Sequence, residues 1–533
     1  MSSPAARSAS APHDFNPDHR DQNLGPLMRL LVVIEKAGNK LPHPFWLFMG
    51  LALVVMVLSW FLERAGVSAV NPADGETVTP TNLLAGEELR SLLGGLVENF
   101  VLFPPLGLVL AVLFGVAVSE QSGLIKTVMK ATLKSASPRL VTFVVAIVGS
   151  AGSMASDASY MIVIPLGGIA FKAVGRNPII GIAVAYASVS GGYAAAPMVN
   201  AYDAVLAGLT TSAATIVDPD YVVSPVSNFF FNVASMLVVA AAITLVTELL
   251  LNRRGDQLAI DPEAAADEAE HIDFSEGVSA VEKRGMIATG IALLICTAIL
   301  IAVCWPEASP LRDTEGGFGP ESGLMTGIAP IVGFGFFVLG IVYGVVTRSI
   351  TKFSDIPDMM VEGVRPFAQV LVLFFAAAQF LAVFNSSSLG RILAIKGAEF
   401  FQSIDAPQFV ILLGGFVLVA LGAMLVTSGS GLWTLMGPIL VPMFMLLGIS
   451  PETTQAMYRI GDSTTNIISP MSPFFVVVLG FIQKYKKDAG IGTLLSLTIP
   501  LSFALWALWG LVFFLWWAVG IPWGPGSPIG YSH

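Results

Sequence analysis

The sequence predicts an all-α, polytopic membrane protein, and three observations carry that prediction. Apolar residues make up 55% of the chain and charged residues only 12%, against about a quarter charged in ordinary soluble domains. Many apolar runs reach about 20 residues, the length at which a helix crosses a bilayer; residues 44–62, 230–251 and 285–305 are three of them. The alternating segments of about ten residues that a membrane barrel requires do not occur.

Taken in order, residues 1–24 are polar and rich in Ser, Pro and Asp, which predicts a disordered tail rather than a cleavable signal peptide. Residues 25–251 form a first membrane half, with a helical hairpin near 144–166. Residues 252–284 read as a cytoplasmic acidic linker. Its stretch GDQLAIDPEAAADEAEHIDFSEG (255–277) holds much of the net charge of −10, so that charge says nothing about partners and gives no reason to expect nucleic acid. Residues 285–519 form a second half with a hairpin near 425–447, and 520–533 are a tail on the far side. Lys and Arg in short loops set the orientation: Arg29, Lys36, Lys40, Lys126, Lys130, Lys134, Arg139, Arg253, Arg254, Lys283, Arg284, Arg348, Lys352, Lys484, Lys486 and Lys487 can all be cytoplasmic at once. The N-terminus is then inside, the C-terminal tail periplasmic, and the number of full crossings odd, with nine as the count.

Several chemistries are excluded early. Cys296 and Cys304 share one apolar run and offer neither a disulfide framework nor metal spacing. No GxxxxGK[ST] phosphate loop occurs, so transport driven by this chain's own ATP hydrolysis is not expected. No histidine lies in a predicted span. No cofactor is expected beyond a coupling proton or sodium ion.

Three regions do not read as clean spans, two with the same form and a third at residues 458–473. VVAIVGSAGSMASDASYMIVIPL (144–166) and LVTSGSGLWTLMGPILVPMFMLL (425–447) each place a small polar break between apolar runs. Backbone that leaves the helix at membrane depth is tolerated only inside protein or beside a wet cavity, and secondary transporters build binding sites from such breaks. A shift of 273 residues overlays the two regions without a gap. Pro165 meets Pro438, Pro178 meets Pro451, Ser190 meets Ser463, Pro197 meets Pro470, and Asp157 falls on Ser430. The prediction is two halves, each with a re-entrant hairpin followed by a broken helix, related as an inverted repeat. Pro165, Pro197, Pro451 and Pro470 mark its structural breaks.

The second half also contains YRIGDSTTNIISPMSP (458–473), a polar stretch in an apolar chain. A charge at the centre of a membrane helix costs about 2.5–3.5 kcal/mol on insertion scales, so Asp157, Arg459 and Asp462 are not expected to face lipid. Arg459 and Asp462, three apart, can also simply pair on one helix face. Hydroxyl and amide groups cluster nearby: Ser153, Ser156, Ser159, Ser188, Ser190, Thr427, Ser428, Ser430, Ser463, Thr464, Thr465 and Asn466. Packing between helices accounts for some of them. The run DSTTN fits better as oxygens for a cation beside unwound backbone. Ser430, Trp433, Arg459, Asp462, Asn466, Asp157 and Ser156 are the expected substrate-binding residues. Asp157, Asp203, Asp462, Ser463 and Thr464 are the expected ion-coupling residues.

At these residues the chain resembles a known family. SDASYMIVIPLGGIAFKAVGRNP, DAVLAGLT, LGRILAIKGAEF, SGSGLWTLMGPILVPMFMLLGISP and QAMYRIGDSTTNIISPMSPFF are similar to the AbgT family, the p-aminobenzoyl-glutamate transporters. The resemblance covers most of the chain from about Pro26 onward. It implies nine transmembrane helices, two re-entrant hairpins, a homodimer with an inner scaffold and an outer transport domain, and residence in the bacterial inner membrane. It also implies uptake of p-aminobenzoyl-glutamate or proton-driven efflux of sulfonamide antimetabolites. By position, the family's functional residues fall on Asp203, Ser430, Trp433, Pro451, Arg459, Asp462 and Pro470. The chain departs from the pattern at Ala423, where the family tends to asparagine, and at Leu432, where it tends to lysine.

The function expected is an ion-coupled secondary transporter of a small aromatic or organic-anion solute, not an enzyme. A sodium-coupled dicarboxylate transporter with another cargo is one alternative. An intramembrane aspartyl protease is another, using Asp203 of the Tyr202–Asp203 pair and Asp462 after Gly461, although Arg459 stands where the GxGD motif needs its first glycine. Re-entrant loops also suit a channel, but an inverted repeat with paired hairpins favours alternating access.

Overall fold

In the computed structural model, residues 42–532 are described apart from 71–74, 76, 135–136, 156–157, 256–257, 259, 262–277, 315, 319–321 and 470. The expected tail at 1–24, most of the acidic linker, Ser156, Asp157 and Pro470 lie outside the described residues. The first part comprises α1 (Pro44–Arg64), a minimal antiparallel pair β1 (Ala69–Val70) and β2 (Thr77–Val78), α2 (Gly86–Val101), α3 (Pro104–Gln121) and α4 (Leu124–Lys134). Next come α5 (Val141–Ala151), a 3-10 turn (Gly152–Ala155), α6 (Ala158–Ala173), α7 (Pro178–Gly191), α8 (Ala201–Ala214) and α9 (Phe229–Val246). The second part comprises α10 (Ala280–Cys304), α11 (Ile328–Thr347), α12 (Asp355–Val364), α13 (Ala368–Ser386), α14 (Leu389–Ser403) and α15 (Gln408–Leu425). It ends with α16 (Gly429–Met445), α17 (Pro451–Asn466), α18 (Pro473–Gln483) and α19 (Ile491–Val519). Seven helical stretches among the described residues are long and apolar enough to cross a bilayer, or eight if α13 and α14, bent by 68° at their break, form one span.

Two helices lie at the centre, and they are the ones that follow the two interrupted regions. Every residue of α7 is buried, and so is every residue of α17 from Pro451 to Thr465. α7 is apolar, so its burial needs no special account. α17, PETTQAMYRIGDSTTN, is the most polar of the central helices, and it is buried because neighbours α15, α16, α19, α8 and α7 enclose it. Pro178 and Pro451, 273 residues apart, each open one of these helices at the first position, where a missing N–H costs nothing.

The interruptions are specific in position. The first includes the 3-10 turn Gly152–Ala155, which follows α5. The second is residues 426–428, where Val426 is extended and the Ser428 hydroxyl accepts from the Gly431 N–H to cap α16. The helix before that gap is α15, long and apolar enough to cross a bilayer, and α16 runs unbroken through Pro438 and Pro442. Prolines here shape helices more than they end them. Pro165 lies inside α6, which continues past it, whereas Pro197 falls in the non-helical stretch after α7.

Close helix contact between the two halves depends on absent side chains. A Cβ at Gly115 of α3 would lie 1.7 Å from the Gly333 carbonyl oxygen of α11, and one at Gly333 would lie 2.2 Å from the Ala111 carbonyl oxygen. Small residues of this kind let membrane helices pack backbone to backbone. Gly333→Ala is expected to force the two helices apart at a cost of about 1–3 kcal/mol, visible as a lower thermal midpoint in detergent. Gly335→Ala, at a position with nothing within 4 Å, should leave the midpoint unchanged. Equal midpoints for the two variants would refute the interlock.

Candidate functional site

The site begins with a helix cap. Asn200 and Asp203 form a reciprocal capping box at the start of α8: the Asn200 side chain accepts from the Asp203 N–H (3.1 Å), and Asp203 Oδ2 accepts from the Asn200 N–H (2.9 Å). The other carboxylate oxygen, Oδ1, faces α17 and α9. It lies 2.7 Å from Arg459 Nη2 and accepts from Asn232 Nδ2 at 3.2 Å. Arg459 is 1% exposed and Asp203 3%. The approach of Nη2 is electrostatic rather than a directed hydrogen bond, because neither of its N–H groups finds an acceptor in line.

Around the guanidinium the polar groups are chained. Arg459 Nε donates to Asn228 Oδ1 at 3.1 Å, and Gln455 Nε2 donates to the same oxygen at 2.8 Å. Asn228 Nδ2 in turn donates to the Glu452 carbonyl at 3.0 Å. Gln455 Oε1 accepts from the Thr210 hydroxyl at 2.6 Å, and that hydroxyl accepts the indole N–H of Trp433 at 2.9 Å. Four elements, α8, α9, α16 and α17, therefore meet through side-chain hydrogen bonds and one bond to the Glu452 backbone carbonyl. A buried pair needs this, since taking two charges out of water costs several kcal/mol per ion before any attraction is counted.

Asp462 lies one turn further along α17. Its Oδ2 accepts from the Tyr202 hydroxyl at 3.2 Å, and the Tyr202 ring lies 6.0 Å from the Arg459 guanidinium. Arg459 and Asp462 thus do not pair with each other; each has a partner on α8. Asp462 Oδ1, Ser463 Oγ and Asn466 Oδ1 are buried and find no hydrogen-bond partner among the described residues. Gly429 at the start of α16 touches this group: a Cβ there would lie 2.5 Å from Tyr202 Oη and 2.8 Å from Asp462 Oδ2. Its carbonyl accepts from the Tyr458 hydroxyl. The second interruption and the polar helix therefore converge on one cluster.

The structure brings together Asp203, Trp433, Arg459 and Asp462, with Ser463 and Asn466 on the same helix. Trp433 is fully buried and its ring lies 4.3 Å from that of Tyr458. Ser430 stands at the start of α16, 3.4 Å from the Ser428 hydroxyl, and its carbonyl accepts from Thr434. The Thr464 hydroxyl donates back to Ile460 within its own helix. Pro451 opens α17, and Ser156, Asp157 and Pro470 lie outside the described residues. Sequence reasoning missed Asn228, Asn232, Gln455, Thr210 and Glu452. A signal for two of them was present, because Asn228 and Asn232, four apart in the aromatic run SNFFFN, share a helix face.

Both oxygens of Asp203 are committed, to Arg459 and Asn232 on one side and to the Asn200 N–H on the other, which leaves no dyad with Asp462 and counts against the aspartyl protease. Asp203→Ala would strand a buried guanidinium, and is expected to cost about 3–5 kcal/mol, measured as a fall in the unfolding midpoint of purified protein. The double variant Asp203→Ala/Arg459→Met removes both charges and should recover most of that loss. A double variant no more stable than the single one would show that the two charges are not a unit.

Comparison with known proteins places this arrangement. A family model described as "AbgT putative transporter family" matches residues 29–531. The p-aminobenzoyl-glutamate transport protein of Escherichia coli K12 is 34% identical over 493 residues, which is 92% of this chain and 95% of that protein. The YdaH transporter of Alcanivorax borkumensis superposes with a TM-score of 0.85 at 39% identity, over 91% of this chain and 100% of that one. MtrF of Neisseria gonorrhoeae, described as illuminating a class of antimetabolite efflux pumps, superposes with a TM-score of 0.88 at 36% identity, over 94% of this chain and 100% of that one. These relatives are transporters and not enzymes, so the protease reading is not supported. The chain, a multi-pass membrane protein, belongs to the AbgT family of transporters.

Proposed function

We propose that this chain is an ion-coupled secondary transporter of a small aromatic or organic-anion solute, carrying p-aminobenzoyl-glutamate inward, sulfonamide antimetabolites outward, or both. One observation carries the reading. Among the described residues, the buried ionisable side chains on Asp, Glu, Lys, Arg and His are three acids and one base: Asp203, Glu452, Asp462 and Arg459. Protein interiors tolerate charge only when it is paired. Arg459 balances one acid, so protons or metal cations must balance the rest, and a site that holds such ions beside a cargo-binding cation is what coupling requires.

In this reading the cargo enters between the two interrupted regions. A cargo carboxylate takes the Arg459 guanidinium, and an aromatic ring takes the face of Trp433 once that ring parts from Tyr458. Asp462 holds the proton, or with Ser463, Thr464 and Asn466 offers oxygens to sodium. Asp157 and Ser156 are further candidates at the first hairpin. Three features support re-entrant arms in an inverted repeat: α5 and α6, with 11 and 16 residues, are short for a core of about 30 Å at 1.5 Å per residue; the gap at 426–428 leads into α16, itself a shorter apolar helix of 17 residues; and α7 and α17 stand 273 residues apart. With the remaining spans these make nine crossings, N-terminus cytoplasmic and C-terminus periplasmic, in a homodimer of the bacterial inner membrane.

Purified protein in vesicles with imposed gradients tests the reading. Flux of p-aminobenzoyl-glutamate or a sulfonamide is expected to follow a proton gradient or a sodium gradient and to vanish with neither. Arg459→Ala removes a charge-assisted contact worth about 1.5–3 kcal/mol, so carboxylate-cargo flux should fall about 10–100-fold. Flux indifferent to Arg459→Ala would remove the carboxylate assignment, and flux indifferent to both gradients would remove coupling.

A further inference from the structure

The segment after α19 does not trail away from the molecule. Gly520 takes a left-handed conformation (φ 82°) and closes α19 with bonds to the Trp516 and Trp517 carbonyls, which turns the chain back. Trp523 is then completely buried, 5.0 Å from the ring of Phe231 and 5.1 Å from that of Phe513, and its carbonyl accepts from the Phe231 N–H at 3.1 Å. Gly524 lies flat against the loop between α8 and α9, where a Cβ would fall 2.1 Å from the Val226 carbonyl oxygen.

The same segment binds the start of α17. Trp523 Nε1 donates to the Thr453 hydroxyl at 2.7 Å, and that hydroxyl donates to the Ile529 carbonyl at 2.8 Å. The Ser450 hydroxyl donates to the Pro528 carbonyl at 2.8 Å, Gly530 pairs with Ile449 as an antiparallel bridge, and the Tyr531 N–H donates to the Gly448 carbonyl at 2.9 Å. The Tyr531 hydroxyl donates to Asp218 at 3.2 Å in the α8–α9 loop. Burial, with the Asp218 carboxylate beside it, holds the pKa of that hydroxyl up to about 12, so it remains a donor at any physiological pH.

Residues 520–532 thus tie two elements together: the first turn of α17, the helix that carries Arg459, and the loop that ends in Asn228. These are the two sides of the Asn228–Arg459 contact, which aims the guanidinium at Asp203. Tyr221 of the loop strengthens the junction with a 2.9 Å bond to the Glu452 carboxyl. We propose that residues 520–532 are a clasp that sets the charge partner of Arg459. Closed, the clasp keeps the loop on α17 and Arg459 on Asp203. Open, it releases Asn228 and frees the guanidinium for an anionic cargo, which in this conformation cannot reach it. The clasp rests on the transport reading for its role, but its opening is measurable without any cargo.

The test is a disulfide between the bridged residues, Ile449→Cys with Gly530→Cys, in a Cys296→Ser/Cys304→Ser background. Bridged Cα atoms of antiparallel strands lie about 4.5–5.5 Å apart, within disulfide range. When oxidised in vesicles, the variant should lose about tenfold or more of its p-aminobenzoyl-glutamate or sulfonamide flux and regain it on reduction. Amide exchange at 446–456 and 225–232, followed in detergent, should slow about tenfold on oxidation, because exchange there needs the clasp to open. Thr453→Val, which removes the Trp523 and Ile529 bonds, should instead speed exchange in both segments. Oxidised protein that keeps more than half its reduced flux overturns the clasp, and so does exchange that is the same oxidised and reduced. If the unmodified protein moves none of these solutes, the transport reading fails by itself and exchange alone decides the clasp.

Discussion

The ion pair between Arg459 and Asp203 is the constraint on which the surrounding structure depends. Both residues are almost wholly buried, and the desolvation cost of several kcal/mol per ion must be met by the neighbourhood. That requirement explains why α8 begins with a reciprocal cap that fixes the Asp203 carboxylate, and why Asn228 and Asn232 sit in an otherwise aromatic and aliphatic helix start. It also explains why α17 is wrapped on several sides. A polar helix can lie at the centre of a membrane protein only if other helices, rather than acyl chains, supply its partners.

In the proposed transport reading, the composition of the core also bears on the cargo. Leu432 and Ala423 are buried at 1% and 0% exposure, at positions where the family resemblance leads one to expect lysine and asparagine. Arg459 is then the only buried cation among the described residues. In that reading a solute with one acidic group would be matched by Arg459 alone, whereas p-aminobenzoyl-glutamate carries two carboxylates. A dicarboxylate finds one cation for two charges, and its second group would need water or a bound ion.

Much of this was legible in the sequence, and the rest was hidden for definite reasons. Long apolar runs and short polar breaks mark the spans and the gaps, because lipid punishes any exposed backbone. Two prolines of the 273-residue frame, Pro178 and Pro451, do occupy the same first-turn position in α7 and α17. The partner of Arg459 was not readable. A helical offset of three suggests Asp462, yet the chain brings Asp203 from 256 residues away, and no periodicity reports a contact between helices. The supporting amides were missed for the opposite reason. Asn228 and Asn232 look like minor exceptions in an apolar helix, and their meaning lies entirely in what faces them. Trp433 is among the expected substrate-binding residues, and what the sequence could not report is that its N–H goes to Thr210 and its ring lies beside Tyr458.

In the proposed transport reading, the same pair would connect cargo to ion. If a cargo carboxylate replaces Asp203 at the guanidinium, Asp203 remains behind, buried, with only amide donors around it. Its charge then has to be matched by a proton or a cation, so cargo binding and ion binding favour each other through one shared arginine. Linkage of this kind is reciprocal: whatever places a positive charge near Asp203 weakens its hold on Arg459 and raises the affinity for the anionic cargo. A carrier built so needs no separate device to couple the two events. A single buried cation contested by two anions is sufficient, provided that the wall around it can open far enough to admit the second.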